Sequence, residues 1–216
     1  MDIASLYVRV WFRAKPLASP ELDALAERMG ILAWLSPNPG RRYFLSKWNA
    51  AGASILGRVV FGERYWSMLT EDERLAVCAH EFIHIRHRDS RWRLTHIGLP
   101  SIGAAVIAAS IASYALGQFV LPSVILAVFA WFLAAYAFTT LNLSNSRRME
   151  LRCDTEAAKA VSPSSLVTSL RIADSLISQK VKNGRSDRRP SRSYPTLEER
   201  VNAILAVRKS DAANSQ

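Results

Sequence analysis

At 216 residues the chain has room for one sizeable domain together with membrane segments, and too little for two full globular domains. Half of its residues are apolar, yet its formal charge is +10, a pairing that does not fit an ordinary soluble globule because the two kinds of residue are segregated along the chain. A basic chain invites comparison with nucleic-acid binders, but there is no zinc knuckle, RNP-type motif or basic recognition helix, so no nucleic-acid partner is expected.

In chain order, LYVRVWF (Leu6 to Phe12) has the β-branched and aromatic content of a strand. Asp2 and Arg9 interrupt the apolar residues here, so this segment lacks the layout of a secretory signal, and the soluble parts are expected to stay in the cytosol. Ser19-Pro20-Glu21 supplies an N-cap, a proline at the first helical position and an early acid, which predicts a short helix ending at Gly30. From Ile31 to Phe61, Pro37, Pro39 and Gly40 break the chain around strand-like pieces, RYFLSKW and ILGRVVFG, and a small sheet is expected.

Thr70 and Glu73 form a capping box that opens TEDERLAVCAHEFIHIRHRD, a helix with acids in its first turn and bases in its last. It contains His80-Glu81-Phe82-Ile83-His84. Residues four apart share a helix face, so both imidazoles can reach one Zn²⁺ while Glu81 lies beside the water. Such a zinc polarises a scissile carbonyl and lowers the pKa of water toward about 7, and Glu81 would act as general base. The bland alternative is an accidental match on an exposed amphipathic helix. Against it, His80, His84 and His87 are three of the four histidines of the chain, and all lie on this one helix.

Between Arg93 and Arg147 there is no Asp, Glu, Lys or Arg. A bilayer core is crossed by about 20 apolar helical residues, and this run holds two such spans, Leu99 to Leu116 and Leu121 to Leu141, with Gly117, Gln118 and Pro122 marking the turn. RHRDSRWR before the spans and RRMELR after them are rich in arginine and the turn has none, so both ends are expected on the cytoplasmic side.

A catalytic zinc needs three protein ligands and one open position. The candidate third ligand is Glu150, just past the second span, with Asp154 one turn later, able to accept a hydrogen bond from a ligating imidazole. A solvated pairing of these two carboxylates with Arg147 or nearby bases is an equally open alternative. Two further helices follow, SPSSLVTSLRIADSLISQKV and PTLEERVNAILAVR, separated by the basic and mobile KNGRSDRRPSRS, and SDAANSQ reads as a frayed tail. Cys78 and Cys153 have neither zinc-finger spacing nor a disulfide framework and read as small packed residues.

NAAGASILGRVVFG, LTEDERLAVCAHEFIHIRHRD, the hairpin, SRRMELRCD and YPTLEERV stand in an order that resembles the HtpX-like membrane proteases, the family that includes the CAAX prenyl endopeptidases, from about Pro20 to Leu205. The resemblance implies a mainly α, gluzincin-like zinc metalloprotease domain with a small β-sheet, interrupted by a transmembrane hairpin. It implies His80, His84 and Glu150 as ligands of one Zn²⁺, Glu81 as general base, Asp154 as the aspartate of an E-x-x-x-D pattern, and Asn49 beside the substrate cleft. Cys153 departs from the alanine usual in the family. Tyr194 stands where the family commonly has a histidine suited to stabilising the oxyanion. A phenol can donate to an oxyanion, and a packing role against the following helix is the alternative. Fuller members carry further spans before the catalytic region, so a short form is implied.

The expected organisation is therefore residues 1–93 and 147–208 as two parts of one protease domain, 94–146 as a two-span hairpin, and 209–216 as tail. The expected function is zinc-dependent endoproteolysis at the cytoplasmic face of the cell membrane, on protein or peptide substrates such as misfolded membrane proteins, with the lipid bilayer as the other partner. A non-proteolytic membrane scaffold or chaperone-like protein is the competing reading, with Tyr194 its main support.

Overall fold

The computed structural model describes residues 3–47, 52–55, 57–117, 121–182 and 194–214. Asn49 and the basic segment 183–193 lie outside the described residues. Eight helices and four short strands are described: α1 (Ile3–Trp11), β1 (Ala14–Leu17), α2 (Pro20–Arg28), β2 (Tyr43–Ser46), β3 (Gly52–Ile55), β4 (Arg58–Gly62), α3 (Glu63–Met68), α4 (Glu71–Arg86), α5 (Asp89–Ala115), α6 (Leu121–Ala160), α7 (Pro163–Lys182) and α8 (Leu197–Asn214). The chain is mainly helical with a small sheet, as expected.

The sheet has the order β1-β2-β4-β3, with β2 and β4 parallel and the outer pairs antiparallel. Side chains alternate across it. Tyr43, Val59 and Phe61 face the main core with Leu22, Leu25, Phe82, Leu166 and Ile204. Phe44 and Val60 face the other way and pack with Val8 and Ala14. Both faces are covered, so β4 is buried along its whole length, with apolar Val59, Val60 and Phe61 following the buried Arg58.

The expected strand at Leu6 to Phe12 is instead the helix α1. Its sequence serves either period over so few residues, and tertiary packing decides: Val8 docks on the outer face of the sheet, while Ser5 Oγ accepts a hydrogen bond from Arg58 Nε at 3.1 Å. The strand beside it forms later, at Ala14–Leu17. The cap at Ser19 is as expected, accepting from Leu22 N.

Helix α4 is the centre of the fold, packing against α2, α6, α7 and β3. It ends at Arg86 because Arg88 takes a left-handed conformation, φ 57°, and Asp89 starts α5 in a new direction. Residues 147–160 continue the second hairpin helix without a break, making α6 forty residues long. Helices α5 and α6 pack on one another, the Trp131 indole lying against Gly103, and the turn between them holds Gly117 at φ +71°. Among the described residues, no helix is long and apolar enough to cross a membrane. Large apolar side chains nevertheless face outward along the pair, among them Val106, Ile111, Ile125, Phe129, Phe132 and Leu133.

The turn into β4 depends on Gly57, whose φ is +74° and whose added Cβ would come within 2.6 Å of the Trp34 carbonyl oxygen. Both conformation and close approach exclude a side chain. Gly57→Ala should cost about 1–3 kcal/mol; an unchanged midpoint in chemical denaturation would show that the turn reorganises freely.

Candidate active site

The local folding of α4 fixes its register. Thr70 N donates to Glu73 Oε2 at 2.8 Å and Glu73 N to Thr70 Oγ1 at 3.4 Å, a reciprocal cap that leaves three acids at the positive end of the helix. Residues 76–85 are all buried. One turn apart on this helix, the His80 and His84 rings meet edge to face, with their Nε2 atoms 3.1 Å apart. Helix α6 brings Glu150 against them, Oε2 at 3.4 Å from His80 Nε2 and Oε1 at 3.5 Å from His84 Nε2.

The two Nε2 atoms are 3.1 Å apart, and each has one Glu150 carboxylate oxygen at 3.4 or 3.5 Å, so one ligand atom from each residue lies within 4.8 Å of the others. A tetrahedral ion with bonds of about 2.0–2.1 Å needs donor separations of about 3.3 Å. Two imidazoles and one carboxylate are also a donor set that zinc accepts while keeping a position open. The residues present therefore fit a metal ion, and His80, His84 and Glu150 are the group that could hold it.

Behind each ligand candidate stands a buried partner. Asp89 Oδ2 lies 2.8 Å from His84 Nδ1, and both oxygens of Asp89 accept from Arg152 at 2.9 Å. A carboxylate on Nδ1 leaves Nε2 free to ligate. Asp154 Oδ1 lies 2.9 Å from His80 Nδ1, but outside hydrogen-bond geometry, and His80 Nδ1 has no hydrogen-bond partner among the described residues. Both Asp154 oxygens accept instead from Arg200, at 2.6 and 2.7 Å. Arg147 pairs with Glu199, and the base that stands against Asp154 and Glu150 is Arg200, in a buried rather than a solvated pairing.

The electrostatics follow from burial. Asp89 is held by Arg152 and Asp154 by Arg200, while the buried Glu150 carboxylate lies against the two imidazoles, which a divalent cation could take as ligands in place of their protons. Burial alone would depress the His80 imidazole, but the Asp154 and Glu150 carboxylates outweigh it and hold its pKa at about 9. His84 is likewise raised, burial being outweighed by Asp89 and Glu150. Burial pushes the Glu150 carboxyl up, and the two imidazoles more than reverse this, keeping it well below its usual range.

Of the other residues singled out by sequence, Glu81 is buried on α4 against β3: an added Cβ at Gly52 would meet its Oε1 at 2.9 Å. The Tyr194 hydroxyl donates to Glu150 Oε2 at 2.8 Å and accepts from Arg200 Nη1 at 2.9 Å, so it is at the site with its proton directed at Glu150. Cys153 is fully buried with Sγ 3.4 Å from His84 Nδ1. The sequence reading missed Asp89, Arg152 and Arg200. The first two stand in runs whose charge was explained as membrane flanks, and Arg200 in a helix whose role was not sought; the spacing of Asp89, five residues past His84, was the available signal.

Two outcomes follow from this geometry. Arg200→Ala strands Asp154 as an uncompensated buried charge and should cost about 3–5 kcal/mol, measured by denaturant titration; a loss near zero would show that water replaces the guanidinium. The pKa of His80, about 9 against an ordinary 6.5, means that protonated His80 stabilises the metal-free protein fully below pH 6.5, and that this contribution is lost as pH rises through 9. Melting temperature after chelation should therefore fall across that window, and a flat profile would contradict the charge arrangement.

Residues 22–208 match the model of peptidase family M48. Among solved structures the chain is similar to the crystal structure of S. mikatae Ste24p, with a TM-score of 0.53 and 19% identity, over 91% of this chain and 53% of that one. The chain thus spans about half the length of that protein, and the likeness is one of fold. No curated protein matches. The family resemblance carried by the motifs is borne out, and the chain belongs to peptidase family M48.

Proposed function

We propose that this chain is a zinc-dependent membrane endopeptidase that cleaves misfolded or unassembled membrane proteins. The observation that supports the reading is the convergence of His80, His84 and Glu150 into one buried group of three possible metal donors. A zinc ion bound there would polarise a carbonyl and acidify water. Glu81 takes the proton from the attacking water and passes it to the leaving amine. Asp89 holds His84 with Nε2 turned toward the centre, and Tyr194 holds Glu150 in place through its hydroxyl.

Strand β3 supports a peptide substrate. It is last in the sheet order, and its outer edge pairs with no strand among the described residues. An extended peptide added there is bound through main-chain hydrogen bonds whatever its side chains, and Gly52 lets that strand lie close to Glu81.

The membrane part of the reading rests on the uncharged run and on the outward apolar side chains of α5 and α6. The expected first span begins at Leu99, ten residues after Asp89; the expected second ends at Leu141, nine residues before Glu150. At 1.5 Å per helical residue, both routes put the site about 14–15 Å from the apolar core, a depth at which membrane substrates emerge. In this reading both ends of the hairpin and the site lie on the cytoplasmic side.

The test pairs metal content with activity in detergent-purified protein. About one zinc per chain is expected in the wild type, with clear loss in His84→Ala and Glu150→Ala. Glu81→Gln should keep the metal and degrade an unfolded membrane protein about 10²–10⁴-fold more slowly. Equal degradation by the wild type and Glu81→Gln would sink the protease reading.

A further inference from the structure

Behind the zinc candidates lies a second group of donors. His84 turns Nε2 toward His80 and Glu150, and its other ring nitrogen, Nδ1, faces Asp89 Oδ2 at 2.8 Å and Cys153 Sγ at 3.4 Å. The sulfur and that same carboxylate oxygen are 3.9 Å apart. One atom from each of the three residues makes the group, and all three side chains are buried. They come from α4, α5 and α6, so the cluster exists only in the folded chain. Cys78, equally buried, belongs to no such group among the described residues.

Imidazole, carboxylate and thiol are three ligand types that a thiophilic divalent cation accepts. Around a tetrahedral ion, bonds of about 2.0–2.2 Å to nitrogen and oxygen and about 2.3 Å to sulfur need donor separations of about 3.3–3.6 Å. The observed separations bracket that range, and an ion replacing the proton between Nδ1 and Oδ2 opens the shortest of them by about 0.5 Å. Burial, and then the Asp89 and Glu150 carboxylates, push the Cys153 thiol up, so it yields its proton to solvent only in exchange for an ion that bonds sulfur strongly. The resulting thiolate and the Asp89 carboxylate balance the two charges of the ion. Arg152 keeps Asp89 Oδ1 at 2.9 Å, and its own side chain is 37% exposed, so one flexible side chain separates this side of the cluster from solvent.

We propose that His84, Asp89 and Cys153 form a second metal site, one for thiophilic divalent cations such as Cd²⁺, which shares the His84 ring with the zinc site and antagonises it. The sharing rests on the reading of His84 as a zinc ligand; the cluster itself does not. A cation on Nδ1 removes the Asp89 hydrogen bond that turns Nε2 toward the zinc centre. It also places positive charge on the same small ring, which makes Nε2 a poorer donor. By linkage, each ion lowers the affinity for the other by the same factor. Such a cation inhibits from behind the site, without occupying the open position where water and substrate meet.

The experiment adds Cd²⁺ to the full chain, purified in detergent and already loaded with zinc. A thiolate bound to cadmium absorbs in the ultraviolet by charge transfer from sulfur, a signal that needs no enzymatic activity. The band should appear in the wild type and in Cys78→Ala, and be absent from Cys153→Ala and Cys153→Ser. Cys153→Ser nearly keeps the side-chain volume, and zinc retained by it shows that loss of the band is not loss of the fold. Cadmium should also release zinc to an indicator dye several-fold faster from the wild type than from Cys153→Ser. No band in the wild type, or a band that survives both Cys153 variants, would overturn the site. Equal zinc release from the two proteins would overturn the antagonism. A band that depends on Cys153 in a chain holding no zinc would keep the new site and remove the zinc-protease reading, so the two failures are told apart.

Discussion

Buried charge binds the helices of this protein to one another. Glu150 and Asp154 on α6 face His80 and His84 on α4, Arg200 reaches in from α8 to take both oxygens of Asp154, and Arg152 and the first residue of α5, Asp89, close the ring behind His84. Removing so many charges from water is costly, and the cost is offset only if each finds a partner in good geometry. Such an arrangement does little for net stability compared with an apolar core of the same volume. It does dictate register: sliding α6 by one turn past α4 would leave several charges unpaired at once.

That constraint makes α6 a lever. The helix is continuous from Leu121 to Ala160, so the ligand candidate Glu150 and the outward apolar residues near Phe129 are points on one rod. Helix α5 leaves the site from its other side at Asp89, which itself touches His84. The hairpin is therefore built out of the same two helices that bring Glu150 and Asp89 to the histidines of α4. Any force that moves the hairpin is delivered to the side chains around the histidines.

How far the site could be read from sequence depended on how local each signal was. The HExxH register and the Thr70 cap lie within one helix, and one helical period brings their residues together. Glu150 was reachable from its place just past the uncharged run, with Asp154 one helical turn later on the same face. The partners Asp89, Arg152 and Arg200 were hidden because their charge already had an explanation, the membrane flank, or none was sought. Only the fold shows that Asp89 turns inward after the left-handed Arg88, or that Arg200 faces α6. Helix α1 was misread for a different reason. Seven residues do not separate a period of 2 from one of 3.6, and what selects the helix is the sheet against which Val8 packs. The sheet order β1-β2-β4-β3 arises from pairing between distant segments and left no local trace.

Tyr194 gathers these strands at a single hydroxyl. The sequence left it between two roles, donor to an oxyanion or packing residue, and the geometry gives it a third, because its proton is directed to Glu150 while Arg200 donates to its oxygen. A hydroxyl between a guanidinium and a carboxylate is polarised by both, and the hydrogen bond it gives is of the stronger, charge-assisted kind. To serve a developing oxyanion it must release Glu150, which then relies on its other contacts, the two imidazoles and the Arg200 guanidinium 3.6 Å away. Arg200 therefore touches Tyr194 and Asp154 at once and stands within ion-pair distance of Glu150. In a chain that carries tyrosine where the family commonly has histidine, one phenol and one arginine stand together against the ligand candidate Glu150.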